Sequence, residues 1–173
     1  MSDRSIRVGL GLDAHRFAEE RPLILGGVRL RERRGLAGHS DADVLTHAIM
    51  DALLGAAGLE DIGHYFPDTD PAYAGADSVD LLRRVVRMLA DRGWRPVNVD
   101  AVVVCQEPRV ASFRAAMRAT LAAALGLEPD RVGLRGTTTE RMGFTGRGEG
   151  IYAQAVALLE REPWWGSSVP TTS

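Results

Sequence analysis

The sequence predicts an α/β or α+β domain, and three observations predict it. Short β-branched runs alternate with longer segments whose apolar residues recur at helical spacing. At 173 residues the chain is long enough for one hydrophobic core and short for two. Its 45% hydrophobic and 25% charged fractions are ordinary for a globular protein.

Taken in order, Arg7–Leu12 reads as a first strand. Leu23-Ile24-Leu25 and Val28-Arg29-Leu30 flank Gly26-Gly27, a two-residue hairpin turn. Residues 31–38 read as a charged loop. Ser40 or Asp41 can cap a helix running to about Leu54, with Val44, Leu45, Ala48, Ile49, Ala52 and Leu53 on its apolar face. Residues 55–75 are irregular and rich in Asp, Gly and Pro, as in a long functional loop. Ser78 can cap a second helix to about Arg92. Val97–Gln106 reads as a buried strand, Ser112–Leu125 as a third helix and Arg131–Thr137 as another strand. Ile151–Leu159 is ambiguous between helix and strand. Residues 162–173 read as a disordered tail in which Trp164 and Trp165 could dock on a neighbour.

Composition excludes several classes. A net charge of -2 gives no bulk attraction to nucleic acid or to an anionic membrane. No apolar run reaches the roughly 20 residues of a membrane span. The first residues carry no apolar signal segment, so the expected location is cytoplasmic. The single cysteine, Cys105, excludes an internal disulfide and a Cys-based zinc cage. It follows Val102-Val103-Val104, which reads as a structural thiol in a buried strand rather than a nucleophile. All 21 basic residues are arginine. Lysine Schiff-base chemistry and a P-loop lysine are thereby ruled out, and a cationic phosphate contact must come from Arg.

The chemistry-bearing residues gather near the N-terminus. Asp13 and His15 end a strand two residues apart, so period-2 geometry points both to one face. His47 lies on the following helix, four residues beyond Asp43. Three of the four histidines fall in this stretch. A strand-end Asp/His pair facing one helical His supplies three N/O ligands, the pattern of catalytic zinc with one open position. The alternative is that each residue is separately structural.

His39-Ser40-Asp41 at the predicted helix start is a candidate phosphate site, because a helix N-terminus offers free N–H groups and a positive dipole end; Ser40 and Asp41 can also act as caps there. Thr137-Thr138-Thr139-Glu140 follows a strand and precedes a glycine-rich stretch from Gly143 to Gly150. Hydroxyls, exposed N–H groups and one Arg suit a phosphate chain, and Glu140 could hold a hard cation; a plain turn-rich loop is the alternative. Neither Gly-rich stretch has dinucleotide-fingerprint spacing.

These segments resemble the 2-C-methyl-D-erythritol 2,4-cyclodiphosphate synthase family over roughly residues 7–160. The resemblance rests on Gly11-Leu12-Asp13-Ala14-His15, His39-Ser40-Asp41-Ala42-Asp43 with His47, Asp61-Ile62-Gly63, Phe66-Pro67-Asp68-Thr69-Asp70, Gly75-Ala76-Asp77-Ser78, Thr137-Thr138-Thr139-Glu140 and Gly143-Phe144-Thr145-Gly146-Arg147-Gly148-Glu149-Gly150. It implies a synthase domain over residues 1–161, with helices on one face of a β-sheet and the sheets facing the axis of a homotrimer. Ile151–Leu159 is then a strand, and active sites lie between subunits.

The resemblance also implies the site. Zinc is expected on Asp13, His15 and His47, and Mg²⁺ or Mn²⁺ on Glu140. His39 and Thr138 are expected to stabilise the transition state. Asp61, Ile62, Gly63 and the loop Phe66, Pro67, Asp68, Thr69 and Asp70 would hold the methylerythritol part of a CDP-linked substrate, with Ser40 beside them. Cys105, Gln106, Glu107, Pro108, Arg109, Val110 and Ala111, with Thr137, Thr138 and Thr139, would hold the cytidine diphosphate. Phe144 and Arg147 would line the region near the subunit interface. Two positions depart from the family's common pattern: Arg109 stands where lysine is frequent, and Arg135-Gly136 where Lys-Ala is frequent. Gly136 would add backbone freedom beside the nucleotide pocket.

Overall fold

Glycine and alanine decide where the first helix lies. The computed structural model describes residues 5–161. In β1 (Ser5–Ala18) exposed and buried positions alternate: Ile6, Val8, Leu10 and Leu12 face out, while Gly9 and Gly11 face in. The helix α1 (Val44–Ala57) lies against those glycines. A Cβ on Gly9 would meet the Ala52 carbonyl oxygen at 2.0 Å, and one on Gly11 the Ala48 carbonyl oxygen at 2.1 Å. Ala48, Ala52 and Ala56 recur every four residues and so form one ridge on that face. Twelve of the fourteen residues of α1 are buried.

β1 is the longest strand of a five-stranded sheet. Its partners are β4 (Gly35–Leu36) and β7 (Gly150–Arg161), both antiparallel. β5 (Trp94–Val104) runs antiparallel to β7 and parallel to β6 (Val132–Thr137). The order is β4-β1-β7-β5-β6, a mixed sheet. The parallel β5/β6 pair needs a crossover, and α4 (Arg114–Leu125) supplies it. The helix α3 (Ser78–Ala90) packs between α1 and α4. These helices cover the inward face, made of Val99, Ala101, Val103, Ile151, Ala153, Ala155, Ala157 and Leu159. The opposite face is bare and apolar along β1, and Val156 continues it on β7.

The hairpin is as expected: β2 (Leu23–Leu25) and β3 (Val28–Arg31) flank Gly26 and Gly27, both with positive φ, as a tight hairpin turn requires. Ile151–Leu159 lies within a strand. Several boundaries differ from expectation. β1 continues six residues past Leu12, to Ala18, and the charged loop 31–38 contains the short β4. Residues 110–113 form a 3-10 turn before α4. Residues 55–75 carry the one-turn helix α2 (Ile62–Tyr65) and a 3-10 turn at Pro71–Tyr73. The tail 162–173, with Trp164 and Trp165, lies outside the described residues.

The predicted helix caps are corrected too. Asp43, not Ser40 or Asp41, caps α1, and Asp77, not Ser78, caps α3. Asp43 is fully buried. Its carboxylate accepts from the Gly26 and Gly27 N–H groups at 2.9 and 2.7 Å, the Thr46 N–H at 3.1 Å and the Thr46 hydroxyl at 2.7 Å. Burial and then the charge of Asp41 push its pKa up, and the hydrogen bonds from the Gly27 N–H and from the Thr46 hydroxyl and N–H oppose that. One carboxylate thus ties the hairpin turn to the start of α1 and occupies the end of the helix expected to face phosphate.

Candidate active site

The second half of β1, rather than its end as expected, and the start of α1 bring three ligand atoms together. Asp13 Oδ2 lies 2.9 Å from His15 Nε2 and 3.0 Å from His47 Nδ1. The two ring nitrogens are 3.4 Å apart. Tetrahedral zinc with bonds near 2.0 Å separates its ligand atoms by about 3.3 Å, so the triangle is close to one face of that tetrahedron. Among the described residues this is the one group of three or more His, Cys, Asp or Glu side chains arranged to hold a metal ion.

Neighbouring groups fix the ring orientations. His15 Nδ1–H donates to the Ala37 carbonyl at 2.7 Å, leaving Nε2 to face the centre. The Ser78 hydroxyl donates to Asp41, so it accepts from His47 Nε2–H at 2.9 Å; Ser40 Oγ lies 3.2 Å from the same nitrogen. His47 Nδ1 is thereby left for the centre. The chain Asp41–Ser78–His47 is a ligand-orienting relay of the kind found behind metal-bound histidines. Ser78 was read from sequence as a cap and as part of the Gly75-Ala76-Asp77-Ser78 motif, with no role at the triad, because no sequence pattern reports that its hydroxyl turns toward another helix.

Charge follows the geometry. Burial pushes the Asp13 carboxyl up, but hydrogen bonds from His15 and His47 and their charges outweigh it and hold the group far below the usual carboxylate range. Burial pulls His15 down, and its hydrogen bond and attraction to Asp13 more than reverse this, so His15 titrates above an ordinary histidine.

The triad opens into a cavity of about 360 Å³. His39, Ser40, Ile62, Gly63, Phe66 and Asp68 line it, and so do Met50, Tyr73 and Leu81, which the sequence did not single out. His39 Nε2–H donates to the Asp70 carbonyl at 2.9 Å. Asp61 caps α2 through the His64 N–H at 3.1 Å, and Asp70 caps the 3-10 turn through the Ala72 N–H at 2.9 Å. Pro67 and Thr69 lie in the same loop without lining the cavity.

A second cavity of about 480 Å³ lies where β5 and β6 end. Cys105, Gln106, Pro108, Arg109, Val110, Ala111, Thr137 and Thr138 line it, with Arg114, Arg135 and Gly136. Cys105 donates to the Pro108 carbonyl at 3.4 Å, and burial pushes its thiol up to about 11, so it is the structural thiol expected. Gly136 does not take a positive φ; it is small because a Cβ would meet Val110 Cγ2 at 2.3 Å. Close packing rather than backbone freedom therefore explains that departure. The Gln106 amide nitrogen is buried without an acceptor.

Past β6, Glu140 and Arg141 both have positive φ. The Thr138 hydroxyl donates to Glu140 Oε1 at 2.7 Å, and the Thr139 hydroxyl lies 3.0 Å from that of Thr145. Glu107 and Arg147 line a third, smaller cavity, and Phe144 is exposed on α5 (Gly143–Gly146). The first two cavities share no lining residue.

An α+β domain that presents an Asp/His/His set able to hold a metal ion beside a cleft, with a hydroxyl- and arginine-lined loop elsewhere, has the groups that metal-assisted phosphate chemistry uses. A profile of the YgbB family matches residues 6–160. A 2-C-methyl-D-erythritol 2,4-cyclodiphosphate synthase of Rubrobacter xylanophilus is 66% identical over 158 residues, 90% of this chain and 95% of its own length. A solved 2C-methyl-D-erythritol-2,4-cyclodiphosphate synthase in its CDP-bound form superposes with a TM-score of 0.81 at 38% identity, over 88% of this chain and 99% of that one. The bifunctional IspDF of Campylobacter jejuni gives a TM-score of 0.90 at 41% identity over 94% of this chain, which spans only 44% of that longer protein. The chain belongs to the YgbB family, that of the 2-C-methyl-D-erythritol 2,4-cyclodiphosphate synthases.

Proposed function

We propose that this protein converts 4-diphosphocytidyl-2-C-methyl-D-erythritol 2-phosphate into 2-C-methyl-D-erythritol 2,4-cyclodiphosphate and CMP, as a soluble cytoplasmic enzyme of non-mevalonate isoprenoid synthesis. The observation that carries the reading is the Asp13/His15/His47 triangle with its orienting groups, on a chain whose relatives bear that name. A 2-phosphate oxygen attacks the β-phosphorus of the CDP group. A new P–O bond closes the ring, the bond between the β-phosphorus and the bridging oxygen breaks, and CMP leaves. This makes the enzyme a phosphorus–oxygen lyase.

The nucleophile is an ionised phosphate oxygen, so no side-chain base is required; positioning and charge neutralisation are. Asp13, His15 and His47 would hold zinc, and their N₂O donor set fits that ion. Glu140, with the Thr138 hydroxyl beside it, would hold Mg²⁺ or Mn²⁺, which prefer hard oxygen donors. When bound, these ions polarise phosphoryl oxygens and offset their charge.

The remaining roles fall to the chain's own groups. His39 and Thr138 would stabilise the transition state, in which charge builds on the phosphoryl oxygens. Ser40 and the residues Asp61, Ile62, Gly63, Phe66, Pro67, Asp68, Thr69 and Asp70 bind the methylerythritol part. The loop from Cys105 to Ala111 and Thr137–Thr139 bind the cytidine diphosphate. The buried Gln106 amide is a donor left over for that ligand.

We further propose a homotrimer with sites between subunits, near Phe144 and Arg147. Ile6, Val8, Leu10 and Leu12 are each more than half exposed on the bare sheet face, and a contiguous patch of this kind marks an interface. No helix among the described residues is long and apolar enough to cross a membrane.

Phosphorus NMR of the zinc- and magnesium-loaded protein with the substrate tests the function. CMP and a cyclic diphosphate are expected; unchanged substrate with folded, zinc-loaded protein would refute the reading.

A further inference from the structure

One carboxylate beside the metal helix has no part in the site described so far. Asp51 lies one helical turn after His47 on α1, so the two side chains share a face. Asp51 does not line the cavity. Its Oδ1 accepts the Ile62 N–H at 2.9 Å, across a separation of eleven residues. Among the described residues it makes the one side-chain hydrogen bond between α1 and α2. Ile62 and Gly63 line the same cavity as Asp13, His15 and His47.

We infer that Asp51 is a positioning residue: through the Ile62 N–H it fixes the segment beginning at Asp61 at a set distance from His47. This rests on the proposed role of that segment in holding the methylerythritol part of the substrate. Four-residue α2 is too short to be stable alone, so its place depends on what it is tied to. One tie is Ile62 packing on the core. Another is Asp51, which fixes the first turn at the backbone, next to Asp61. A carboxylate is costly here: burial comes first, then the charges of Asp61 and Asp13, and together they push its pKa up. A solvated surface aspartate would carry no such cost. The hydrogen bond from the Ile62 N–H offsets part of that cost, and attraction to His47 a smaller part.

The test uses the full, zinc-loaded chain and three variants. Asp51→Asn keeps an acceptor oxygen in place without charge. Asp51→Glu keeps the charge but moves the oxygens outward by one methylene. Asp51→Ala removes both. Hydrogen exchange of the Ile62 amide, KM and kcat for the CDP-linked substrate, zinc content and CDP affinity are measured for each. In Asp51→Ala and Asp51→Glu, Ile62 should exchange at least about tenfold faster and KM should rise about ten- to a hundredfold. Their kcat should change far less, with zinc content and CDP affinity unchanged. Asp51→Asn should restore both protection and KM.

An Asp51→Asn variant as impaired as Asp51→Glu overturns the inference, since charge rather than acceptor placement would then matter. Unchanged KM despite faster exchange overturns it as well, reducing Asp51 to a structural tie. If Asp51→Ala fails to fold, the Asn/Glu pair still decides. Exchange needs no substrate, whereas wild-type turnover tests the proposed reaction, so the two fail separately.

Discussion

Replacing Gly11 with alanine should damage stability and metal binding together. The added Cβ would sit 2.1 Å from the Ala48 carbonyl oxygen and 2.4 Å from the Ala52 nitrogen, both rigid helix backbone. Ordinary contact begins near 3.4 Å, so α1 must lift from β1 by about 1.3 Å (3.4 − 2.1). Overpacking of this kind costs about 3 kcal/mol, which lowers Tm by about 6–12 °C in a chain of this size.

The same lift acts on the candidate metal triad. His47 is adjacent to Ala48 on α1, and Asp13 is two residues from Gly11 on β1, so the 3.0 Å gap between them opens. Metal sites tolerate errors of about 0.2 Å in ligand distance, and zinc affinity should fall by about 10- to 100-fold. Thermal unfolding in chelator and a competitive zinc titration measure the two effects. Gly55→Ala is the control. It lies on the same helix, but its nearest atom, the Leu10 carbonyl oxygen, is 3.9 Å away, so alanine should stabilise by about 0.5–1 kcal/mol. A Gly11→Ala protein with wild-type Tm and zinc affinity would refute the close-packing argument.

Two further outcomes follow from other contacts. Gly136→Ala should weaken CDP binding about tenfold by pushing Val110 into the cavity proposed to hold the nucleotide, and Val110→Ala in the same chain should restore it; additive losses in the double variant would sink the idea. In metal-free protein, the contribution of the raised His15 is full below pH 6.5 and is lost as pH rises through its folded value. That of the lowered Asp13 is full above pH 3.8 and is lost as pH falls through its folded value. The pair therefore stabilises the metal-free chain most between those limits, and because zinc needs a neutral ring, its rise in Tm should be larger near pH 8 than near pH 5.5; equal rises would refute this.

What the sequence revealed and what it hid have separate causes. The triad was legible because each ligand follows a regular period: two along β1 for Asp13 and His15, and helical spacing for His47. The end of β1 was hidden because residues 13–18 spend their side chains on the site and on charge rather than on apolar alternation. Ile151–Leu159 was ambiguous because both faces of β7 are apolar, with Ala153, Ala155 and Ala157 inward and Val156 outward. The caps were misassigned because Ser40, Asp41 and Asp43 all suit the role. Only the tertiary position of the Gly26 and Gly27 N–H groups selects Asp43. Asp51 had no local signal, since its partner is eleven residues away.

The separation of the triad cavity from the cavity at the ends of β5 and β6 leads to a last test. One holds the triad, the other the nucleotide-type loop, and they share no residue. A single phosphate chain must reach both the triad and Glu140 in the proposed reaction. If one chain built the whole site, mixing two inactive variants would yield nothing. If each site joins the triad of one subunit to the loop of a neighbour, Asp13→Ala mixed with Glu140→Ala should regain activity. With random assembly at equal amounts, each site draws an intact triad half the time and an intact loop half the time, so about a quarter of wild-type activity should return. The mixture must be unfolded and refolded together, so that subunits exchange. Activity that stays at the level of the separate variants, in mixtures shown by mass spectrometry to contain both chains in one oligomer, would place the complete site within a single chain.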